Sequence, residues 1–166
     1  MIQTVDNFLD PSDFEELIQA YNECRMYSAY DYGERRGAKY YAVADWIDCY
    51  RSDNLRYAFD DISTQIDEVL GVKVHLMTFF RHPIETFPIL QGQGTDIPQH
   101  IDRNFERSGV LYMLGAEGQG TTVKDEYVEW VENRAIAFDA QTLHNPHFGG
   151  ADRISLTFFG TNTKKL

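Results

Sequence analysis

The hydrophobic pattern changes its period once along the chain, near Gly71, and that change limits what the sequence can fold into. Before it apolar residues recur at helical spacing, and after it they fall into short strand-type runs. The first helix is marked by Asp10 placed to cap and Pro11 at the first helical position, with Asp13, Glu15 and Glu16 in the opening turns. Phe14, Leu17, Ile18 and Tyr21 give it one apolar face, and a short strand over 3–7 is expected before it. A second helix is expected from Ser52, carrying Leu55, Ala58, Phe59, Ile62, Ile66, Val69 and Leu70, with Gly71 suited to a left-handed cap. Between the helices, residues 27–50 hold Tyr27, Tyr30, Tyr32, Tyr40, Tyr41, Trp46 and Tyr50 among glycines. That segment reads as a loop with one short strand, either packing between the helices or serving as a substrate lid.

Strand-type runs then follow at 72–80, 108–114, 121–124, 127–131, 135–138 and 153–159. They succeed one another too quickly for crossover helices, so the pairing must be antiparallel, and a barrel or two-sheet jelly roll is the natural closure. The expected class is α+β: a β-barrel core over 72–166, with helical support from 1–71 packed outside it. At 166 residues, 43% hydrophobic and 14% aromatic, the chain suits one domain spanning 1–166.

Charge removes several function classes. Fifteen basic residues stand against 26 acidic ones, a net −11, with no Lys or Arg cluster to track a phosphate backbone, so nucleic acid is excluded as a partner. No run approaches the roughly 18 apolar residues of a membrane span. The opening MIQTVDNFLDPSDF lacks the basic-then-apolar order of a secretory leader, and a cytoplasmic protein is expected. Cys24 and Cys49 form no scaffold and read as packing thiols.

The chemistry-bearing residues lie in the second half. His100-Ile101-Asp102 is an H-x-D; on extended chain its imidazole and carboxylate share a face, though such a pair arises readily by chance. His144 and His147 both follow, and the interval from His144 to Arg153, at the head of a strand, favours His144 as a third ligand. Two His and one carboxylate are the donor set of non-haem Fe(II) oxygenases, which leave three positions open. A bidentate 2-oxo acid fills two of them, leaving one for O2. In the last strand Arg153, Ser155 and Thr157 share one face and Ile154, Leu156 and Phe158 the other. If the apolar face packs under the helices, the polar one turns inward, where Arg153 requires an anion. A dicarboxylic cosubstrate answers that need, with one end on the metal and the other on the guanidinium.

These residues resemble the 2-oxoglutarate and Fe(II)-dependent dioxygenases, in the prolyl 4-hydroxylase-like branch. The opening TVDNFLDPSDFEELI, then HID, RSGVLYMLG, GQGTTV, ENRAIAFDAQTLHNPH and DRISLTFFG, run in that family's order and spacing. The resemblance implies a double-stranded β-helix, a jelly-roll or cupin-like barrel. It implies Fe(II) held by His100, Asp102 and His144, 2-oxoglutarate as cosubstrate with its distal carboxylate on Arg153, and a hydrogen bond to that carboxylate from Ser155. A family tyrosine touching the cosubstrate falls on Met113 or Tyr112; another, before the H-x-D, is replaced by Phe79 and Phe80, which cannot donate. The retained Asp102 disfavours halogenation. Hydroxylation of a small-molecule or peptide substrate, a prolyl residue included, is the implied activity. The rival readings are a cupin-like metal enzyme without 2-oxoglutarate and a non-catalytic jelly-roll interaction module.

Overall fold

A computed structural model of the chain describes residues 1–28, 50–82, 99–147 and 151–164. The elements, in order, are β1 (Gln3–Val5), α1 (Pro11–Glu23), β2 (Tyr27–Ser28), β3 (Tyr50–Arg51), α2 (Asp60–Leu70) and β4 (Val72–His82). They continue with β5 (Arg107–Leu114), β6 (Thr121–Val123), β7 (Glu126–Val128), β8 (Ala135–Asp139), β9 (His144–Pro146) and β10 (Arg153–Asn162). Two antiparallel sheets result. The larger has the order β1-β8-β5-β10-β4-β3-β2, and the smaller β7-β6-β9.

The alternation along β10 explains how the layers assemble. Ile154, Leu156 and Phe158 join Val72, Met77, Phe79 and Leu111 in a core completed by Leu17 of α1 and Ile62, Ile66 and Leu70 of α2. Each fully buried side chain of this size contributes about 1.5–3 kcal/mol, enough to fix which face of the sheet the helices cover. The other face of β10 carries Arg153, Ser155, Thr157 and Phe159 into a cavity of about 100 Å³. Beside that cavity, Val110, Tyr112, Ile136 and Phe138 of the larger sheet pack on Val123 and Val128 of the smaller.

Several boundaries differ from the sequence expectation for identifiable reasons. The second helix starts at Asp60 rather than Ser52. Residues 52–55 run along β4 instead: Ser52 N–H donates to Phe79 O at 3.1 Å, Leu55 N–H to Met77 O at 2.7 Å, and Met77 N–H to Asn54 Oδ1 at 3.2 Å. Ladder and side-chain hydrogen bonds to an otherwise exposed strand edge outcompete the helix nucleus there, while Leu55 and Phe59 still pack on the core. Gly71 closes α2 at φ +66°, a left-handed cap. Asp10 occupies the cap position of α1 but makes no side-chain capping bond; its carbonyl accepts from Phe14 N–H. Strand 127–131 shortens to β7, and β9 was not expected at all. Of the 27–50 segment read as a lid, residues 29–49 lie outside the described residues. Among the described residues no helix is long and apolar enough to cross a membrane.

Candidate active site

The H-x-D segment is held to the far end of the smaller sheet by its own backbone. His100 N–H donates to His144 O at 3.0 Å and His144 N–H returns to His100 O at 2.9 Å, an isolated antiparallel bridge. Asp102 N–H donates to Ala140 O at 2.9 Å, and Gln141 Nε2 donates to the carbonyls of Asp102 and Phe105. Asn104, at φ +77°, then turns the chain towards β5. Residues far apart in sequence are thus locked side by side before any side-chain chemistry begins.

The donor atoms of His100, Asp102 and His144 lie within 4.8 Å of one another. His144 Nε2 stands 3.0 Å from Asp102 Oδ2, and His100 Nε2 stands 3.9 Å from Asp102 Oδ1. Neighbouring ligands at right angles on a metal, each about 2.1 Å from it, are about 3.0 Å apart, so the His144–Asp102 pair already has a chelating spacing. His144 Nδ1 lies 2.8 Å from Thr142 O, the contact that keeps its proton on that nitrogen and turns Nε2 towards the site. Ser108 Oγ donates to Asp102 Oδ2 at 2.5 Å. Burial opposes the Asp102 charge, yet the His144 hydrogen bond and charge, the Ser108 hydroxyl and the His100 charge outweigh it and hold the carboxyl below its usual value. A carboxylate and two imidazoles aimed at one point, with Thr142 O and the Ser108 hydroxyl orienting two of them, are a donor set that fits Fe(II).

Arg153 forms the other end of the cavity and is 3% exposed. Its Nε donates to Gln119 O at 2.8 Å and its Nη2 to Thr121 Oγ1 at 3.3 Å. Of the nearby acids, Asp152 pairs with Arg81 at 3.1 Å, and Asp139 accepts from Gln141 N–H. Ser155, two residues along the same face, has a buried hydroxyl with no hydrogen-bond partner among the described residues. Tyr112 lies behind this end rather than lining it; Arg153 sits 5.5 Å from its ring centroid, and its hydroxyl donates to Thr121 Oγ1 at 2.8 Å. Burial pushes the Tyr112 hydroxyl above its usual pKa, so it remains a donor.

His147 stays out of the donor cluster; its Nε2 lies 2.6 Å from Thr122 Oγ1 and its ring packs edge-on against Tyr127. Arg103 and Asn104 are exposed and do not line the cavity. Phe79 faces the helical core, while Phe80 lines the cavity. Ser108, Gln119, Thr121 and His82 are residues of the site that sequence reasoning did not single out. Ser108 shares a strand face with Val110 and Tyr112, so period-2 alternation along 108–114 is the signal that could have found it.

No family model matches the chain, and no curated protein matches it. Solved structures do. HygX from Streptomyces hygroscopicus, with nickel, 2-oxoglutarate and hygromycin B bound, superposes with TM-score 0.63 at 8% identity over 96% of this chain and 82% of that one. A 2OG-Fe(II) oxygenase family oxidoreductase from Burkholderia pseudomallei gives 0.62 at 12% identity over 99% and 88%. A Pseudomonas putida prolyl-4-hydroxylase gives 0.56 at 17% identity over 97% and 92%. At these identities the likeness establishes the fold: the chain has the jelly-roll architecture of these oxygenases.

Proposed function

We propose that the protein is a non-haem Fe(II) dioxygenase coupling oxidative decarboxylation of 2-oxoglutarate, to succinate and CO2, with hydroxylation of a small-molecule or peptide substrate. The observation that carries this reading is the convergence of His100, Asp102 and His144 at a cavity that also contains Arg153 and Ser155. The shared fold supports it, with a prolyl-4-hydroxylase favouring a prolyl substrate and a hygromycin-bound structure favouring a small molecule. In this reading residues 1–166 act as one domain, with α1 and α2 as outer support for the barrel. The polar face of Arg153, Ser155 and Thr157 disfavours a metal enzyme that dispenses with 2-oxoglutarate.

His100, Asp102 and His144 would hold the metal. Bound Fe(II), together with 2-oxoglutarate and O2, supplies the oxidising power for cleaving an unactivated C–H bond. The chain's own groups bind and orient. Thr142 O keeps the His144 proton on Nδ1, and Ser108 holds Asp102 ionised and pointed inward. Arg153, braced by Gln119 O and Thr121 Oγ1, and Ser155 would receive the distal carboxylate, with Tyr112 acting through Thr121 as a positioning residue. Phe80, Val110, Phe138 and Phe159 line the cavity with apolar surface that excludes water.

The test is anaerobic addition of Fe(II), then 2-oxoglutarate, to metal-free protein, read by the visible metal-to-ligand charge-transfer band. The band is expected in wild type and His147→Ala and absent in His144→Ala. Folded, metal-loaded wild type without the band would refute the 2-oxoglutarate reading, and folded protein that binds no metal would refute the metal centre.

A further inference from the structure

We propose that His82 is a cosubstrate-binding residue whose imidazole donates a hydrogen bond to the distal carboxylate of 2-oxoglutarate, beside Arg153 and Ser155. This assignment rests on the function proposed above. His82 ends β4 as the cross-strand partner of Arg153 and lines the same cavity, 5% exposed. Alternation along β4 turns Phe80 and His82 into that cavity, while Phe79 enters the helical core and Arg81 pairs with Asp152. The His82 ring stacks on Phe80, with centroids 6.2 Å apart and planes at 13° to one another. Phe80, opposite Ser155, has no donor, so His82 is the polar group that β4 contributes at the Arg153 end.

The state of Arg153 explains why a further donor is useful. Its Nε and Nη2 are directed at Gln119 O and Thr121 Oγ1, so that edge of the guanidinium serves the protein's own loop. A carboxylate has about four acceptor positions and would meet the guanidinium by another edge, with positions left for other donors. Ser155 offers one hydroxyl, buried and without a hydrogen-bond partner among the described residues. His82 offers an N–H. Burial, and then the Arg153 charge, hold its imidazole well below the ordinary histidine value, so at pH 7 it is neutral. A neutral ring adds a donor without placing a second full charge against the guanidinium.

The experiment titrates anaerobic Fe(II)-protein with 2-oxoglutarate and with 2-oxopentanoate, which has the same chain length but a methyl in place of the distal carboxylate. Wild type, His82→Phe (ring without donor) and His82→Gln (donor without ring) are compared. His82→Phe is expected to raise the 2-oxoglutarate Kd about tenfold or more, with the 2-oxopentanoate Kd held within about twofold. His82→Gln is expected to stay within about threefold of wild type for both. Should circular dichroism show that His82→Phe does not fold, His82→Leu takes its place. Equal weakening of both acids, or no weakening of either, overturns the His82 assignment while leaving the proposed function standing. Absence of 2-oxoglutarate binding in the wild type overturns both.

Discussion

Ser108→Ala removes a single hydroxyl from the site and leaves the backbone of β5 alone. Ser108 is 1% exposed and donates at 2.5 Å to Asp102 Oδ2, the oxygen that stands 3.0 Å from His144 Nε2. A hydrogen bond to an ionised acceptor contributes about 1.5–3 kcal/mol. Loss of a group that orients a metal ligand weakens metal binding by about 10–100-fold, which is about 1.4–2.7 kcal/mol. The two ranges agree, and the direction agrees as well. Without the hydroxyl the Asp102 carboxyl loses one of the contacts that hold it ionised, so protons compete better with the metal. Metal affinity measured anaerobically at pH 7 against a chromophoric chelator should therefore fall about 10–100-fold in Ser108→Ala. Ser108→Cys, whose thiol is a weaker donor, should fall between the two. A Ser108→Ala protein that binds Fe(II) as tightly as wild type, in an assay where Asp102→Ala loses it, would refute the reasoning.

Other perturbations test the scaffold. A Cβ at Gly109 would lie 2.2 Å from the Phe158 ring and 2.5 Å from Ile136 O, so Gly109→Ala should destabilise by about 2–3 kcal/mol in urea titrations; a loss under about 0.5 kcal/mol would show that β5, β8 and β10 part easily. Leu156→Ala, on the core face of β10, should lower stability by about 2–5 kcal/mol yet leave the metal affinity of the folded protein unchanged, and a matching loss of metal binding would contradict the separation of the two faces. The depressed His82 pKa makes metal-free stability pH-dependent: below about 6.5 the unfolded chain takes a proton that the folded one refuses, so stability falls with falling pH. The loss grows as the pH falls from 7.5 to 5.5. His82→Gln should remove that increment, and an unchanged difference between the two pH values would assign it to other groups.

What could be read from the sequence, and what could not, follows from how local each determinant is. The two faces of β10 were readable because period-2 alternation of Arg153, Ser155 and Thr157 with Ile154, Leu156 and Phe158 is a property of that segment alone. The His100, Asp102 and His144 cluster was readable because the chemistry of a metal face narrows the choice of residue types. Strand β9 was not, since its three residues are held by β6 and by the bridge to His100, both remote in sequence. The start of α2 was misjudged because Leu55, Ala58 and Phe59 keep helical spacing, while the hydrogen bonds that draw residues 52–55 onto β4 are non-local. The expected strand stopped at residue 80, short of His82, whose strand conformation comes from pairing with Arg153 of β10. Thr121 as the partner of the Tyr112 hydroxyl was not readable either, because that bond joins β5 to β6.

Strand β10 lies between β4 and β5, with Arg153 to Phe158 alternating between the cavity and the helical core. Its history among related sequences should therefore be asymmetric. Substitutions on either face can accumulate independently, because each face answers to a different neighbour. Loss or gain of one residue between Arg153 and Phe158 would instead exchange the two faces, sending a guanidinium under the helices and a leucine or phenylalanine into the cavity. Such a strand is free to drift in composition and closed to drift in length, and single-residue indels there should be purged even where point changes are common.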